Sequence, residues 1–377
     1  MSEDSGVQIL EQLIQQALDH SGSDIHWEPM ASCMQVRIRR DGILYLAKEL
    51  NNTLGQQIIS RLKILSNLDI AEKRLPQDGH FSMRLKNYKN IDVRVSTCPT
   101  CLGEKAVLRV QIEKRTELDL EKLGFEAESL NFFRAALAKT QGMIVVTGPT
   151  GSGKTLTLYS ALAELDLKKN NICTVEDPVE IPLAGITQVE ILPKIGLTFD
   201  RVFSAFLRQD PDVLMLGEMR DLDSAKMAMR AAHTGHLVLT TLHTNTALEA
   251  VMRLNAMGIE NYAIAGALSL LVSQRLVRKL CEFCKKTQGE SANGKRIYEN
   301  NPSGCEYCHE GFNGRVGCFE VIPIDETLRN LIFSGASLSA LKNYAQSKNY
   351  LFLETAGLQK VNQGLTTPRE IISCRQD

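Results

Sequence analysis

The sequence lacks long apolar runs, an excess of charge of one sign and a dense set of cysteines. None of its apolar runs approaches the about 18 residues expected of a membrane-spanning helix. Its 43 Lys and Arg residues nearly balance 44 Asp and Glu residues, which argues against a generally basic nucleic-acid-binding protein. Ten cysteines are too few for a disulfide scaffold of 377 residues. Because the acidic N-terminus also lacks the pattern of a secretory signal, we expect a cytoplasmic protein with reduced thiols.

The hydrophobic periodicity changes after residue 112 and predicts more than one domain, as expected for 377 residues. Residues 1–112 mix helical and strand periodicities and predict an α+β domain. Its expected elements are a helix at 7–20, a strand pair at 34–46 around Asp41-Gly42, a helix at 54–69, a second strand pair at 74–97 and a strand at 103–112. The charged residues 113–122 are predicted to form a linker.

Residues 123–377 alternate strand-like and helix-like segments, which predicts an α/β domain with a mostly parallel sheet covered by helices. The most apolar stretch, residues 262–277, is predicted to be helical. Beyond residue 325 the pattern indicates helices only.

A complete phosphate-loop motif, GPTGSGKT at residues 148–155, follows an apolar strand and precedes a helix. A glycine-rich turn that binds nothing is the alternative, but motif, strand and helix all agree. Lys154 is expected to reach the β- and γ-phosphates, and the Thr155 hydroxyl to ligate Mg²⁺. The predicted nucleotide-binding residues are Gly148, Pro149, Thr150, Gly151, Ser152, Gly153, Lys154, Thr155 and Leu156. We therefore predict a Mg-dependent nucleoside triphosphatase that binds ATP.

Acidic and imidazole side chains follow other apolar strands. Glu218 follows the strand at 213–216 and can polarise the attacking water, although it could instead cap the next helix. Glu176 and Asp177 end another strand and can complete a water-positioning cluster. His243 follows a strand and is a candidate γ-phosphate sensor, although a lone histidine is more often structural.

Two Cys-x-x-Cys pairs stand at the spacing of a closed metal site. Cys281, Cys284, Cys305 and Cys308 suit four-thiolate Zn²⁺ coordination, with a structural role since no position stays open. Unligated buried thiols and a redox pair are the alternatives. A third pair, Cys98 and Cys101, has no partner pair, so small buried side chains are the favoured interpretation over redox chemistry.

Taken together, several segments resemble the secretion ATPases of type II secretion and type IV pilus assembly. They are SDIHWEP, RLPQDG, DVRVST, GEKAVLR, EDPVE, LRQDPDVLMLGEMRD and AAHTGHLVLTTLHTN. The resemblance implies a PAS-like N-terminal domain, a RecA-like P-loop ATPase domain and assembly into a hexameric ring. It also implies that the zinc-binding element, residues 278–320, is inserted in the C-terminal domain and marks the assembly branch of the family.

The resemblance assigns roles to individual residues. Glu218 matches the catalytic base and Glu176 its acidic partner, while Arg94 and Arg109 match arginines that act on the nucleotide phosphates. Residues alone would place the two arginines on a solvated sheet face. The sequence departs from the family at His80, where an arginine is usual, and it resembles a short form without the family's first N-terminal domain.

The expected function is a motor ATPase that drives assembly of a type IV pilus or a type II secretion pseudopilus. Its expected partners are other copies of the chain in a homohexamer and an inner-membrane platform protein at the cytoplasmic face, with no stable nucleic-acid binding. Two alternatives remain: a DNA-translocating or competence-associated hexameric ATPase, and a regulatory module that binds nucleotide with little turnover.

Overall fold

A computed structural model describes residues 4–85, 88–112, 117–290, 294 and 296–373. The chain divides into two compact units, residues 1–116 and 117–377. Residues 117–122, assigned above to a linker, fall in the second unit, where Leu120 is buried in an apolar cluster. No helix among the described residues is both long and apolar enough to cross a membrane.

The first unit is an antiparallel sheet with strand order β3-β2-β1-β6-β5-β4 and two helices. Its elements are α1 (Asp4–Asp19), β1 (Gly22–Pro29), β2 (Met34–Arg40), β3 (Ile43–Leu50), α2 (Asn52–Leu65), β4 (Gln77–Leu85), β5 (Tyr88–Thr100) and β6 (Gly103–Ile112). The predicted α+β content is confirmed. Asp41 and Gly42 both have positive φ, as the two-residue turn predicted between β2 and β3 requires. The turn of the second strand pair lies outside the described residues.

Alternation along the strands separates an apolar face from a polar face of this sheet. Buried side chains such as Trp27, Ile38 and Val93 form one core cluster with Ile14 of α1 and Leu62 of α2. The opposite face carries the charged residues of the same strands, because successive side chains point to opposite sides.

The second unit contains a seven-stranded sheet with strand order β15-β12-β7-β11-β10-β8-β9. Its strands are β7 (Gly142–Thr147), β8 (Ile172–Glu176), β9 (Thr187–Glu190), β10 (Val213–Leu216), β11 (Leu237–Leu242), β12 (Leu268–Leu280) and β15 (Phe312–Pro323), with β13 (Lys286–Glu290) and β14 (Arg296–Glu299) forming a separate pair. Every neighbouring pair of the large sheet is parallel except β12 and β15. The predicted mostly parallel sheet is confirmed.

Helices cover this sheet and form the C-terminal end of the described chain. They are α3 (Ala127–Leu137), α4 (Lys154–Glu164), α5 (Phe199–Phe206), α6 (Leu222–His233), α7 (Glu249–Ala256), α8 (Asn261–Ala267), α9 (Glu326–Phe333), α10 (Leu338–Ser347), α11 (Leu353–Asn362) and α12 (Pro368–Ser373). The prediction of helices alone beyond residue 325 is confirmed for the described residues.

The helix predicted at residues 262–277 is wrong for most of its length. The segment forms the short helix α8 and then enters β12, whose first eight residues are all buried. A strand enclosed on both sides has no polar face, so its apolar run cannot be told from a buried helix by periodicity.

Candidate active site

The carboxyl ends of four neighbouring parallel strands meet at one edge of the large sheet. The phosphate loop follows β7, His243 follows β11, Glu218 follows β10 and Glu176 ends β8. In open α/β sheets this edge is where ligands bind. The strand order therefore brings together side chains that lie far apart in the sequence.

The phosphate loop has the backbone conformation that its glycines predict. Gly148 and Gly153 adopt φ of 146° and 88°, and α4 begins directly afterwards at Lys154. A Cβ at Gly148 would lie 2.5 Å from the Gln274 carbonyl oxygen, so only glycine fits there. The buried Ser152 hydroxyl has no hydrogen-bond partner among the described residues, and the Thr155 side chain is exposed. These unused polar groups at a helix N-terminus fit a phosphate and its Mg²⁺ ion.

Lys154 occupies the mouth of the loop. Its Nζ donates to the Gly148 and Pro149 carbonyl oxygens at 2.8 and 3.0 Å. Burial, reinforced by the nearby Arg275 and opposed by Glu218, lowers the pKa of Lys154 to about 8. The ammonium group is thus poised to exchange backbone oxygens for phosphate oxygens.

A chain of polar contacts runs along the same edge from Asp177 to His243. Arg220 donates to Glu218 through Nε and to Asp177 through a terminal nitrogen at 3.1 Å. The other Glu218 oxygen lies 3.1 Å from His243 Nε2. Burial alone would raise the pKa of Glu218, but hydrogen bonds from Arg220 and His243 outweigh it and hold that pKa below its ordinary value. Glu218 is therefore a carboxylate near neutral pH.

Arg220 is the residue of this chain that sequence reasoning missed. Its signal was available, because it stands two residues after Glu218 in the same loop. Asp177, named above as a member of the acidic pair, takes part in this series of polar contacts through Arg220. Its neighbour Glu176 does not.

Glu176 is buried and its carboxylate is already occupied by protein donors. Tyr159 donates to one oxygen, while the Thr174 hydroxyl at 2.5 Å and the Gln188 amide at 3.1 Å donate to the other. Burial, together with the Glu176 contact, raises the pKa of Tyr159. The structure thus places Glu176 at the predicted edge, joined to the helix behind the phosphate loop through Tyr159 of α4.

His236, which precedes the same strand that His243 follows, lies away from the nucleotide site. His236 precedes β11 and bonds through Nδ1 to the Ala231 carbonyl oxygen at 3.1 Å, at the amino edge of the sheet. A cavity of about 610 Å³ opens at that same edge, lined by Lys139, His233 and Arg329 among others. Since α3, α6 and α8 all end there, Lys139 and Arg329 face the partial negative charge of helix C-termini.

Arg94 and Arg109 lie in the first unit on adjacent strands. They are directly opposite each other in the β5–β6 register, so they share one face of the sheet. His80 lies opposite Arg94 on β4, and Arg109 Nε contacts Asp24 at 3.2 Å. Arg109 keeps more than half of its side chain exposed. The row of opposed residues is Arg39, Asp24, Arg109, Arg94 and His80.

The four predicted zinc ligands converge at the end of the β12–β15 hairpin. All four sulfur atoms lie within 4.8 Å of one another, and three of the Sγ–Sγ distances are 3.5 to 3.7 Å. A tetrahedron with metal–sulfur bonds of about 2.3 Å has edges of about 3.8 Å. The donor set and its spacing therefore fit a Zn²⁺ ion.

Cys98 and Cys101 are exposed, so the prediction of small buried side chains is wrong. Along β5 the buried positions are Ile91, Val93, Val95 and Thr97, so alternation turns Cys98 to the opposite face. Cys101 lies in the tight turn between β5 and β6. Strand alternation therefore explains the outward position of Cys98.

A phosphate loop at the carboxyl edge of a parallel sheet, beside a carboxylate and an imidazole, defines a P-loop nucleoside triphosphatase. The family model described as "Type II/IV secretion system protein" matches residues 2–373, and the chain belongs to this family. The resemblance drawn from its motifs is thereby confirmed.

Individual relatives agree along nearly the whole chain. The chain is 45% identical to the "Protein transport protein HofB homolog" of Escherichia coli, over 97% of its own length and 80% of that protein's. It is 43% identical to the "Type IV pilus assembly ATPase PilB" of Myxococcus xanthus, over 97% and 67% of the two lengths. The solved structure of the ATPase DotB of Legionella pneumophila shares the fold at a TM-score of 0.72 and 20% identity, covering 98% of this chain and 95% of that one.

Proposed function

We propose that this chain is a motor ATPase that drives assembly of a type IV pilus or a type II secretion pseudopilus. The observation that carries the proposal is the convergence of Lys154, Glu218 and His243 at one sheet edge in a chain of this family. The names of its relatives, which include a pilus assembly ATPase, support the biological process.

The side chains divide the work of hydrolysis among them. Lys154 binds the β- and γ-phosphates once it leaves its backbone acceptors, and the loop amides hold the remaining oxygens. Water attacks the γ-phosphorus, the bond to the β-phosphate oxygen breaks, and the Glu218 carboxylate accepts the water proton. His243 holds the second Glu218 oxygen and so fixes its orientation. A Mg²⁺ ion held by Thr155 would neutralise phosphate charge.

Arg94 and Arg109 complete the proposal from the first unit. In a ring of copies they would supply positive charge to the phosphates, as the family resemblance implies. Glu176 would act from behind the phosphate loop, through Tyr159, and not as a direct contact to nucleotide.

The wider assignment follows the family. Residues 1–112 would correspond to a PAS-like domain and residues 123–377 to a RecA-like domain, with residues 117–122 of the predicted linker belonging to the second unit. The chain would act as a cytoplasmic homohexamer on an inner-membrane platform protein. Zn²⁺ held by Cys281, Cys284, Cys305 and Cys308 would be structural, because four thiolates leave no open position.

Steady-state phosphate release by the full chain with Mg-ATP tests the proposal. We expect turnover, and we expect Glu218→Gln to lower kcat by about 100-fold or more while ATP still binds. Glu326→Gln, an exposed carboxylate at the start of α9, is the matched control and should leave kcat unchanged.

Two results would contradict the assignment. Absence of turnover in the unmodified chain would overturn the ATPase in favour of a nucleotide-binding regulatory module. Strong stimulation by added DNA would instead favour a DNA-translocating motor.

A further inference from the structure

Glu320 is a buried carboxylate in the middle of β15 that no role assigned above explains. Only 2% of its surface is exposed. A carboxylate is costly to bury unless donors satisfy its oxygens, so its contacts indicate what it does.

Both oxygens of Glu320 accept backbone N–H groups, from two different helix starts. Oε1 accepts from the Ala247 amide at 2.9 Å, just before α7. Oε2 accepts from the Leu353 amide at 3.3 Å, the first residue of α11. Helix starts carry unpaired N–H groups and partial positive charge, which suit a carboxylate. One side chain therefore ties two helices to the sheet.

The first of these contacts belongs to the loop that carries His243. Glu320 lies directly opposite Ser273 in the β12–β15 register. Ser273 donates its hydroxyl to the Asn245 carbonyl oxygen at 3.0 Å. Arg275, two residues along β12, donates to the Asn245 carbonyl and side-chain oxygens at 3.2 and 3.3 Å.

Residues 245–247 are thus held by three side chains of the antiparallel pair β12 and β15, namely Ser273, Arg275 and Glu320. His243 stands two residues before this anchored segment, and its Nε2 reaches Glu218. Displacing the segment would displace the imidazole from the carboxylate that it orients. Near-attack geometry is sensitive to shifts of about 1 Å.

We infer that Glu320 is a positioning residue for hydrolysis, holding the His243 loop in register with Glu218. The inference rests on the proposed ATPase function. A plain helix-capping role would give Glu320 the same contacts but would make it matter for stability alone. Kinetics can separate these two roles.

The test compares Glu320→Ala, Glu320→Gln and Val321→Ala in the full chain. Glu320→Ala removes both acceptors, and we expect kcat to fall about tenfold while KM for ATP changes less than about twofold. Glu320→Gln keeps one oxygen for the Ala247 amide, although its NH2 group cannot accept from the Leu353 N–H. It should therefore lose some stability at α11 but retain most of the kcat. Val321→Ala empties an equally buried position next to it on β15, so it should lower the melting temperature without lowering kcat.

The outcomes separate the inference from the function on which it rests. If the unmodified chain turns over ATP but Glu320→Ala keeps its kcat, Glu320 is only a cap and the inference is overturned. The same holds if Val321→Ala lowers kcat as much at an equal loss of stability, or if KM rises as much as kcat falls. Absence of turnover in the unmodified chain would overturn the proposed function itself.

Discussion

At the scale of single residues, the pKa of Lys154 couples phosphate binding to the uptake of a proton. Its ammonium group is partly buried and contacts backbone carbonyl oxygens. Burial, reinforced by the nearby Arg275, lowers the pKa of Lys154 to about 8. A phosphate anion in place of those carbonyls would favour the charged form and raise that pKa. We therefore expect ATP binding above about pH 8 to be accompanied by proton uptake.

We predict that ATP affinity falls as the pH rises above about 8, by up to about tenfold per pH unit. Titration calorimetry in buffers of different ionisation enthalpy measures both the affinity and the proton uptake. Lys154→Arg, which stays charged, should bind without this pH dependence. Equal slopes for the two proteins would assign the pH dependence to another group.

The raised pKa of Glu320 predicts a pH dependence of folding stability. Burial, opposed by the backbone donors Ala247 and Leu353, raises its pKa from 4.5 to about 7. The folded chain then holds this proton more tightly than the unfolded chain, so the stabilisation is complete below about pH 4.5 and is lost as the pH rises toward 7. The corresponding loss is on the order of 3 kcal/mol. Denaturant titrations at pH 5 and pH 8 should show a smaller difference for Glu320→Gln than for the unmodified chain.

At the scale of elements, sequence reasoning succeeded where local chemistry and fold agree. The phosphate loop fixes a strand before it and a helix after it, and the Asp41-Gly42 turn fixes its hairpin. It failed at residues 268–277, which were predicted to be helical, because burial on both faces erases the strand pattern. Glu320 was missed for a different reason, since its partners Ala247 and Leu353 are distant in sequence. Arg220 was missed although it stands two residues after Glu218.

The zinc element is an extension of one hairpin, so removing the metal should have a local effect. Cys281 lies beyond β12, on the order of 25 Å along the strand from Ser273 beside the phosphate loop. We predict that Cys281→Ser lowers metal content below one zinc per chain and lowers the melting temperature, since ligation supplies folding energy. KM for ATP should change little. Cys318→Ser, a buried cysteine of β15 outside the cluster, is the control and should retain the metal.

In the first unit, α2 is joined to β6 by a buried ion pair. Lys63 is 1% exposed and contacts Glu104, and it also donates to the Glu72 carbonyl oxygen at 2.7 Å. We predict that Lys63→Met destabilises the protein by about 3 to 5 kcal/mol, because it leaves a carboxylate buried without its cation. Adding Glu104→Leu should recover much of that loss in urea titrations. A double variant no more stable than Lys63→Met would show that the pair is not coupled.

At the scale of the whole molecule, the sequence predicts which residues form the nucleotide site but not the contacts that hold them in place. The phosphate loop and Glu218 follow from motif and strand pattern alone. That Glu218 is held between Arg220 and His243 required the strand order, because β10 and β11 become neighbours only in the sheet. The catalytic use of Arg94 and Arg109 remains a prediction from the family.

That prediction can be tested on the full chain, because the first unit offers its own control. Arg39 and Arg109 both contact Asp24 and stand in the same cross-strand row. If Arg109 acts on nucleotide phosphates, Arg109→Ala should lower kcat by on the order of 10³-fold. Arg39→Ala removes the same charge from the same sheet face and should leave kcat nearly unchanged. Equal activities of the two variants in steady-state phosphate release would show that Arg109 is only a solvent-exposed residue of the sheet and does not act on nucleotide.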